Sequence, residues 1–244
     1  MPFDVILRQL TVGFGKTLLI FGLTLAFSLP LGLVVCLGRM SKWAPFRALA
    51  GDGSKPCSGL VRALATFRPI QLIFKFFISI LRGTPLMLQL LAVCYGPYYL
   101  FHAKLSATWT FTALIIGFVI NYAAYFAEIY RGGIESMPVG QYEAAEVLGY
   151  TKVQTFFKII LPQVIKRVLP SVTNEVITLV KDTSLARIIA LQEIIWAGQS
   201  FMKGSQGISG EIWPLFFTAF YYLIWNGVVT IVLGKLEKKL EYFR

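Results

Sequence analysis

The sequence predicts an all-α membrane protein with about five transmembrane helices in one domain. Only 14% of its 244 residues are charged, 56% are hydrophobic, and the mean hydropathy is +0.67. A soluble domain carries about 25% charged residues, so this composition is too poor in charge for a water-facing shell. At roughly 20 residues per span, the length accommodates about five spans and their loops but no separate soluble enzyme.

Three uncharged stretches are long enough to cross the hydrocarbon core unaided, namely residues 18–37, 107–127 and 213–233. Two further apolar segments are interrupted by polar residues. Residues 86–100 follow a polar turn, and residues 168–191 contain four charged side chains. We interpret these two segments as spans two and four, which gives five spans in total.

The positive charges predict the orientation of the bundle. Of the 23 Lys and Arg residues, 17 fall in residues 39–82, in residues 131–167 and in the tail from Lys235 onward. Because cytoplasmic loops retain Lys and Arg, the N-terminus is predicted outside and the C-terminus in the cytoplasm. The net charge of +11 therefore reflects orientation and contact with anionic membrane lipid, and gives no evidence for nucleic acid.

The segment 39–82 is predicted to be a basic cytoplasmic loop. Its most soluble-looking part, residues 41–68, contains a short cluster of Gly, Ser and Pro that is typical of a loop or of a short interfacial helix. Residues 69–81 fit either an interfacial helix or the start of span two, and the sequence leaves both open.

The second cytoplasmic segment, residues 131–167, has the strongest local signals. The Glu-Ala-Ala run at 143–145 favours a helix, which Gly149 is expected to end. Thr151 is a good cap for a second short helix, and Pro162 is expected to interrupt the helical segment after it. The pattern predicts a rigid, compact protrusion, and the small alanines would let another surface approach closely.

The spacing of this segment resembles the EAA signature of the integral-membrane subunits of bacterial ABC importers: E-A-A, three residues, G, nine residues, I, one residue, L-P. The matching residues are Glu143, Ala144, Ala145, Gly149, Ile159, Leu161 and Pro162. Residues 127–134 and the Arg-Gly-Thr-Pro-Leu turn at 82–86 are similar to the branch that imports polar amino acids. The resemblance covers nearly the whole chain from Gly15, although the loop at 43–68 is longer than the family leads us to expect.

The resemblance implies that residues 1–244 form a single permease domain of the bacterial inner membrane. Residues 131–167 would be the coupling loop, whose seven matching residues dock onto a separate ATP-binding subunit present in two copies. A second permease subunit, identical or homologous, would complete the pathway. An extracytoplasmic (periplasmic) binding protein would deliver the polar amino acid.

The resemblance further implies that this chain is not an enzyme and carries no cofactor, because ATP and Mg bind to the partner ATPase. Gly15-Lys16-Thr17 is not a phosphate-binding loop, since Leu10 stands where that motif requires Gly. A single imidazole, His102, and three scattered cysteines provide neither a catalytic triad nor a metal site.

Charged residues inside predicted span four are candidates for the substrate path, because ionisable groups at membrane depth are costly. Glu175 and Asp182 are seven residues apart, so they lie on one helix face about 10 Å apart along the axis. Thr183 and Ser184 add hydroxyls beside Asp182. Two acids favour a cationic or zwitterionic amino acid. The alternative is an internal ion network with the cations Arg82, Lys181 and Arg187.

Two polar residues near predicted span two are further candidates. Gly83 and Pro85 break the helix, which leaves the Thr84 hydroxyl available to a cavity; equally, Thr84 is a suitable cap for an ordinary helix start. Gln89 is a lone amide that fits either the substrate path or a contact between helices. Near the inner end of span three, Glu128 and Arg131 are spaced for a local ion pair.

One function from another class remains open. A self-powered secondary transporter or channel for cationic solutes would use Glu175 and Asp182 as proton or cation sites. Such a carrier has no reason to keep the coupling loop in this form, so the permease interpretation is preferred.

Overall fold

The computed structural model describes residues 3–45, 66–202 and 212–240, and within these ranges it contains helices and no strand. This confirms the all-α prediction. The α-helices are α1 (Phe3–Arg39), α2 (Pro69–Gly83), α3 (Leu86–Phe101), α4 (Ala107–Glu135), α5 (Val139–Val147), α6 (Lys152–Gln154), α7 (Leu161–Asp182), α8 (Ile194–Met202) and α9 (Trp213–Leu240). A π-helix (Thr155–Ile160) joins α6 to α7, and a 3-10 helix (Thr183–Ile189) follows α7.

Three of the described helices are long and apolar enough to span a membrane: α1 with 37 residues, α4 with 29 and α9 with 28. They contain the three uncharged stretches of the sequence. Helices α2 and α3 meet this criterion only as a pair, which bends by 108° at a short break. The segment 86–100, predicted as span two, is therefore the outer arm of a bent pair.

The segment 168–191, predicted as span four, is not one continuous α-helix. Helix α7 ends at Asp182, and seven residues of 3-10 helix follow. At this point the Thr183 hydroxyl donates to the Val180 carbonyl at 2.7 Å. Such a local bond competes with the regular backbone hydrogen bonds of an α-helix. Residues 181–184 are also polar, so they provide no apolar face that would favour continuation of α7.

Within the segment 39–82, α2 occupies residues 69–83, so residues 69–81 are helical, as both alternatives for them require. Pro69 stands in the first turn of α2, where its missing N–H leaves no bond unmade, and an apolar sequence follows. Only Ile78 of α2 is fully buried. Residues 46–65, which make up most of the long 43–68 segment, lie outside the described residues.

The centre of the bundle is the contact between α1 and α4. Gly32 of α1 lies so close to α4 that an added Cβ would approach the Phe126 Cβ to 2.8 Å. Ile20 of α1 and Phe118 of α4 are fully buried in the same core cluster. Because lipid tails are as apolar as the side chains, membrane helices associate through close packing of this kind.

An ion cluster joins α1, α2 and α4. Glu128 of α4 lies 2.6 Å from a guanidinium nitrogen of Arg131, which confirms the predicted local pair. Arg39, from the end of α1, and Arg82, from the end of α2, each approach the Glu128 carboxylate to 3.9 Å. One half-buried carboxylate thus connects three helices.

Candidate functional site

The coupling loop folds as two helices at the predicted boundaries. Helix α5 ends at Val147, and Gly149 follows with φ of +78°, a left-handed conformation that glycine adopts without strain. Thr151 caps α6 through a reciprocal pair of bonds: its Oγ1 accepts from the Gln154 N–H at 3.3 Å, and its own N–H donates to the Gln154 side chain at 2.9 Å.

Contrary to the sequence prediction, Pro162 does not interrupt the second helix. The chain passes from α6 through the π-helix directly into α7, where Pro162 stands in the first turn. The Leu161 N–H donates to the Phe156 carbonyl, five residues back. This wider π-turn accommodates Pro162, which has no N–H of its own. The helix is therefore unbroken from Lys152 to Asp182.

The matched coupling residues differ in exposure. Glu143, Ala144, Gly149 and Pro162 are exposed, Ile159 and Leu161 are half-buried, and Ala145 is only 1% exposed. The sequence predicts that another surface can approach both Ala144 and Ala145 closely, but only Ala144 is exposed. Five large apolar side chains of this region are strongly exposed: Val139, Val147, Leu148, Val153 and Phe157. Five such side chains within 19 consecutive residues make this segment a candidate interaction surface.

Aromatic and charged residues from three helices surround the two acids of α7. The Asp182 carboxylate accepts a hydrogen bond of 2.7 Å from the hydroxyl of Tyr122, a buried residue of α4. Glu175 is half-buried, within electrostatic range of Asp182 and Arg82. The Arg82 guanidinium lies 5.3 Å from the ring centroid of Tyr125, a cation–π contact. We name this group the central polar site; it consists of Arg82, Tyr122, Tyr125, Glu175 and Asp182.

The two hydroxyl residues beside Asp182 have different surroundings. Thr183 is fully buried, and its Oγ1 lies 3.4 Å from the Tyr222 hydroxyl of α9 in addition to its bond to the Val180 carbonyl. Ser184 is half-buried. Thr183 consequently packs inside the subunit, against α9.

Thr84 and Gln89 bond to the break between α2 and α3. The Thr84 hydroxyl donates to the Ile80 carbonyl at 2.8 Å and accepts from the Gln89 amide at 2.9 Å. The Gln89 carbonyl oxygen accepts from the Asn121 amide of α4 at 2.9 Å. Thr84 does not cap α3, whose N-cap is Pro85. Both side chains thus hold the bend and join it to α4.

Three polar residues with structural partners here were not predicted from the sequence: Asn121, Tyr122 and Glu193. Glu193 is fully buried, just beyond the predicted end of span four. The signal that could have found it is the scarcity of acids, since only 12 Asp and Glu occur in the chain.

Within the three described ranges, no three His, Cys, Asp or Glu side chains come together in a way that could hold a metal ion.

One face of α7 is polar and uncovered. Its exposed residues recur at helical spacing, and we call them the α7 polar face: Ser171, Asn174, Thr178 and Lys181. Polar and ionisable groups at membrane depth face a bundle interior or a water-filled cavity, and not lipid. The α7 polar face therefore requires a polar environment that this chain alone does not provide.

Comparison with known proteins agrees with this geometry. Residues 57–242 match the family described as "Binding-protein-dependent transport system inner membrane component". The chain is 30% identical over its full length to the L-cystine transport system permease protein TcyB of Bacillus subtilis, of which it covers 93%. It is 32% identical, over 73% of its length, to the arginine transport system permease protein ArtQ of Bacillus subtilis, of which it covers 78%.

Solved structures show the same architecture. A crystal structure of an amino acid ABC transporter with histidines matches with a TM-score of 0.77 and 26% identity, covering 98% of this chain and 99% of that one. The MetNI methionine ABC transporter in an inward-facing conformation matches with a TM-score of 0.63 and 14% identity at the same coverage, which shows the fold alone. The chain belongs to the family of inner membrane components of binding-protein-dependent transport systems.

Proposed function

We propose that this chain is the transmembrane subunit of an ABC importer that carries polar amino acids into the cytoplasm. The observation that carries the proposal is the unbroken helix from Lys152 to Asp182, which connects the exposed coupling loop to the central polar site. Relatives named as cystine and arginine permease proteins support the amino acid class. The chain performs no chemistry, and ATP and Mg bind to the partner.

The mechanism follows from the stiffness of that helix. When two ATPase subunits close on ATP, they displace the coupling loop, and a continuous helix transmits the displacement as a rigid body. Helix α7 then carries Glu175 and Asp182 with it. Because Asp182 bonds to Tyr122 of the neighbouring α4, movement of α7 changes the central polar site directly.

The surface offered to the ATPase combines polar and apolar groups. Glu143, Ala144 and Gly149 are exposed on the same loop as Leu148, which is 72% exposed, and Val147, which is 87% exposed. Apolar side chains of this size gain free energy when a partner covers them. The half-buried Ile159 and Leu161 support this surface from within the helix that transmits its movement.

The central polar site fits an amino acid in its zwitterionic form. The Arg82 guanidinium suits a carboxylate, which it can bind through two parallel hydrogen bonds. The carboxylates of Glu175 and Asp182 suit the α-ammonium group, and the second acid favours substrates with a cationic side chain. Ser184 is half-buried next to Asp182 and extends the proposed path, whereas Thr183, Thr84 and Gln89 support its walls.

A second permease subunit covers the α7 polar face in the assembled transporter. Two bundles that face each other through these residues enclose a polar path between them, as the rule on membrane-depth polar groups requires. The partner is a second copy of this chain or a homologue.

The orientation follows from the loop charges. Segments 39–82 and 131–167 and the tail from Lys235 hold 17 of the 23 Lys and Arg residues, so the positive-inside rule predicts the coupling loop and the C-terminus in the cytoplasm and the N-terminus outside. The extracytoplasmic binding protein then delivers substrate to the outer end, where α4 begins at Ala107.

Purification of the assembled complex tests this proposal. The tagged chain, co-expressed with its ATPase and second permease, is expected to retain the ATPase in detergent, and amino acid-loaded binding protein is expected to stimulate ATP hydrolysis. Leu148→Asp in the coupling loop should release the ATPase. Leu105→Asp makes the same change at a 42% exposed residue of the opposite end, and this variant should retain the ATPase. Equal retention in both variants, or hydrolysis indifferent to every amino acid, would contradict the proposal.

A further inference from the structure

The connection between α7 and α8 has an unusual backbone. Its 3-10 helix runs for seven residues, whereas runs of more than about four residues are uncommon because the hydrogen bonds are poorly aligned. The next residue, Ala190, has φ of 60°, a left-handed conformation that crowds its Cβ. These two consecutive irregularities distinguish the backbone of residues 183–190 from the regular helices on either side.

Helix α8, in contrast, is firmly held at its beginning. Glu193 is fully buried and serves as N-cap: one carboxylate oxygen accepts from the Ile195 N–H at 2.7 Å and the other from the Trp196 N–H at 2.9 Å. The Glu193 carbonyl accepts from the Ala197 N–H at 3.0 Å. A negative charge at a helix N-terminus is additionally stabilised by the helix dipole.

Glycines bring α8 into direct contact with α1 and α9. A Cβ added to Gly13 of α1 would lie 2.9 Å from the Ile194 Cα, and one added to Gly198 of α8 would lie 2.5 Å from the Thr218 hydroxyl of α9. Neither contact leaves room for a side chain. Helices α1, α8 and α9 are therefore packed together at the backbone level around the capped end of α8.

Three side chains of the 3-10 helix, Thr183, Ala186 and Ile189, are buried, so core packing holds the connection together with the hydrogen bonds at its inner side. Two hydroxyl contacts fix the end of α7: Tyr122 to Asp182 at 2.7 Å and Tyr222 to Thr183 at 3.4 Å. The first belongs to the central polar site. The second ties the start of the 3-10 helix to α9, which also packs against α8.

We propose that Glu193 is a positioning residue for transport: its carboxylate keeps the first turn of α8 in place where that turn packs against Gly13 of α1, so that α7 pivots at residues 183–190 and its displacement reaches the central polar site. This inference rests on the proposed function. When the carboxylate is lost, part of the displacement of α7 is absorbed by movement of α8. ATP hydrolysis then continues while less substrate is carried per ATP.

Uptake and ATP hydrolysis of the complete complex, measured together in vesicles, test this role. In Glu193→Ala, which removes both bonds to the α8 backbone, we expect the ratio of uptake to hydrolysis to fall about five-fold, the factor that corresponds to a lost helix cap. Glu193→Gln keeps an acceptor oxygen and should lose less. Asp4→Asn, at an exposed acid of α1, should match the wild type.

Distinct outcomes separate this inference from the proposed function. Wild-type complex without ATP-driven uptake would contradict the proposed function. With a functional wild type, an unchanged ratio in both Glu193 variants would overturn the positioning role. Loss of both variants from the membrane would overturn it too, because Glu193 would then be required for folding and not for coupling. A graded fall of the ratio with normal amounts in the membrane supports it.

Discussion

At the scale of single residues, Gly149 is required for its backbone conformation and not for space. Its φ is +78°, yet a Cβ there would meet no atom within 4 Å. Gly149→Ala should therefore destabilise the coupling loop by about 1–2 kcal/mol. Gly140→Ala in α5 is the matched control: its Cβ is equally unobstructed, and in a helix the change should stabilise by about 0.5–1 kcal/mol. Thermal unfolding of the purified complex compares the two, and equal shifts would contradict this explanation.

A charge at the same glycine tests docking, with Gly149→Ala as the control for the backbone strain that both variants share. Gly149→Asp should remain in the membrane but release the ATPase, because a carboxylate placed on the exposed end of α5 meets the partner's surface. Co-purification of tagged protein measures the retained ATPase. Normal retention of the ATPase would count against the docking role of this turn.

The Tyr122–Asp182 bond is the second feature at this scale. Asp182→Asn should impair uptake and spare assembly, because the carboxylate accepts the Tyr122 hydroxyl at 2.7 Å within the central polar site. Tyr122→Phe removes the other partner, so the double variant should be less impaired than the two single effects combined. Uptake by the four proteins of this cycle is the measurement. Fully additive effects would show that the Tyr122–Asp182 bond does not matter for uptake, and unchanged transport in Asp182→Asn would return Asp182 to a purely structural role.

At the scale of elements, the bend between α2 and α3 depends on one amide. Gln89 bonds to the exposed Thr84 hydroxyl and to the buried Asn121 amide of α4, so Gln89→Leu removes the carbonyl acceptor of a buried amide and should cost about 1–3 kcal/mol. Gln9→Leu, on an exposed face of α1, should change stability by less than about 0.5 kcal/mol. Thermal unfolding of the two variants in detergent distinguishes these expectations. Similar melting temperatures for Gln89→Leu and Gln9→Leu would show that the bend does not need the Gln89 amide.

The predictability of the elements follows from the range of the interactions that form them. The boundaries at Gly149 and Thr151 are set by residues within four positions of each other, so the sequence predicts them. The passage of the helix through Pro162 was missed, because it depends on a π-turn that helix propensities do not describe. The contact of Gln89 with Asn121 joins residues 32 positions apart, and only the packing of α3 on α4 decides it.

The candidate site shows the same limit. Membrane-depth charge identified Glu175 and Asp182, and the structure places Tyr122 against Asp182. The rule on membrane-depth charge did not identify Glu193, because the burial of Glu193 depends on the approach of Gly13 of α1 to the backbone of α8. A pattern within one helix predicts which residues share a face, but it carries no information on the helix that covers them.

At the scale of the whole molecule, the two ends of the unbroken helix have different partners. The end at the coupling loop carries exposed apolar residues such as Val153 and Phe157, and the other end reaches Asp182 in the central polar site. The arrangement suits a subunit that receives movement at one surface and uses it at another. A carrier driven by an ion gradient would have no use for the first surface.

ATP-dependent uptake tests the central claim most directly. The complete complex is placed in vesicles with ATP enclosed and with amino acid-loaded binding protein outside, and radiolabelled polar amino acids are followed. We expect accumulation that requires ATP, stops with a non-hydrolysable analogue, and is reduced in Asp182→Asn. Accumulation driven by an ion gradient without ATP would contradict the claim, as would the absence of transport for every amino acid tested.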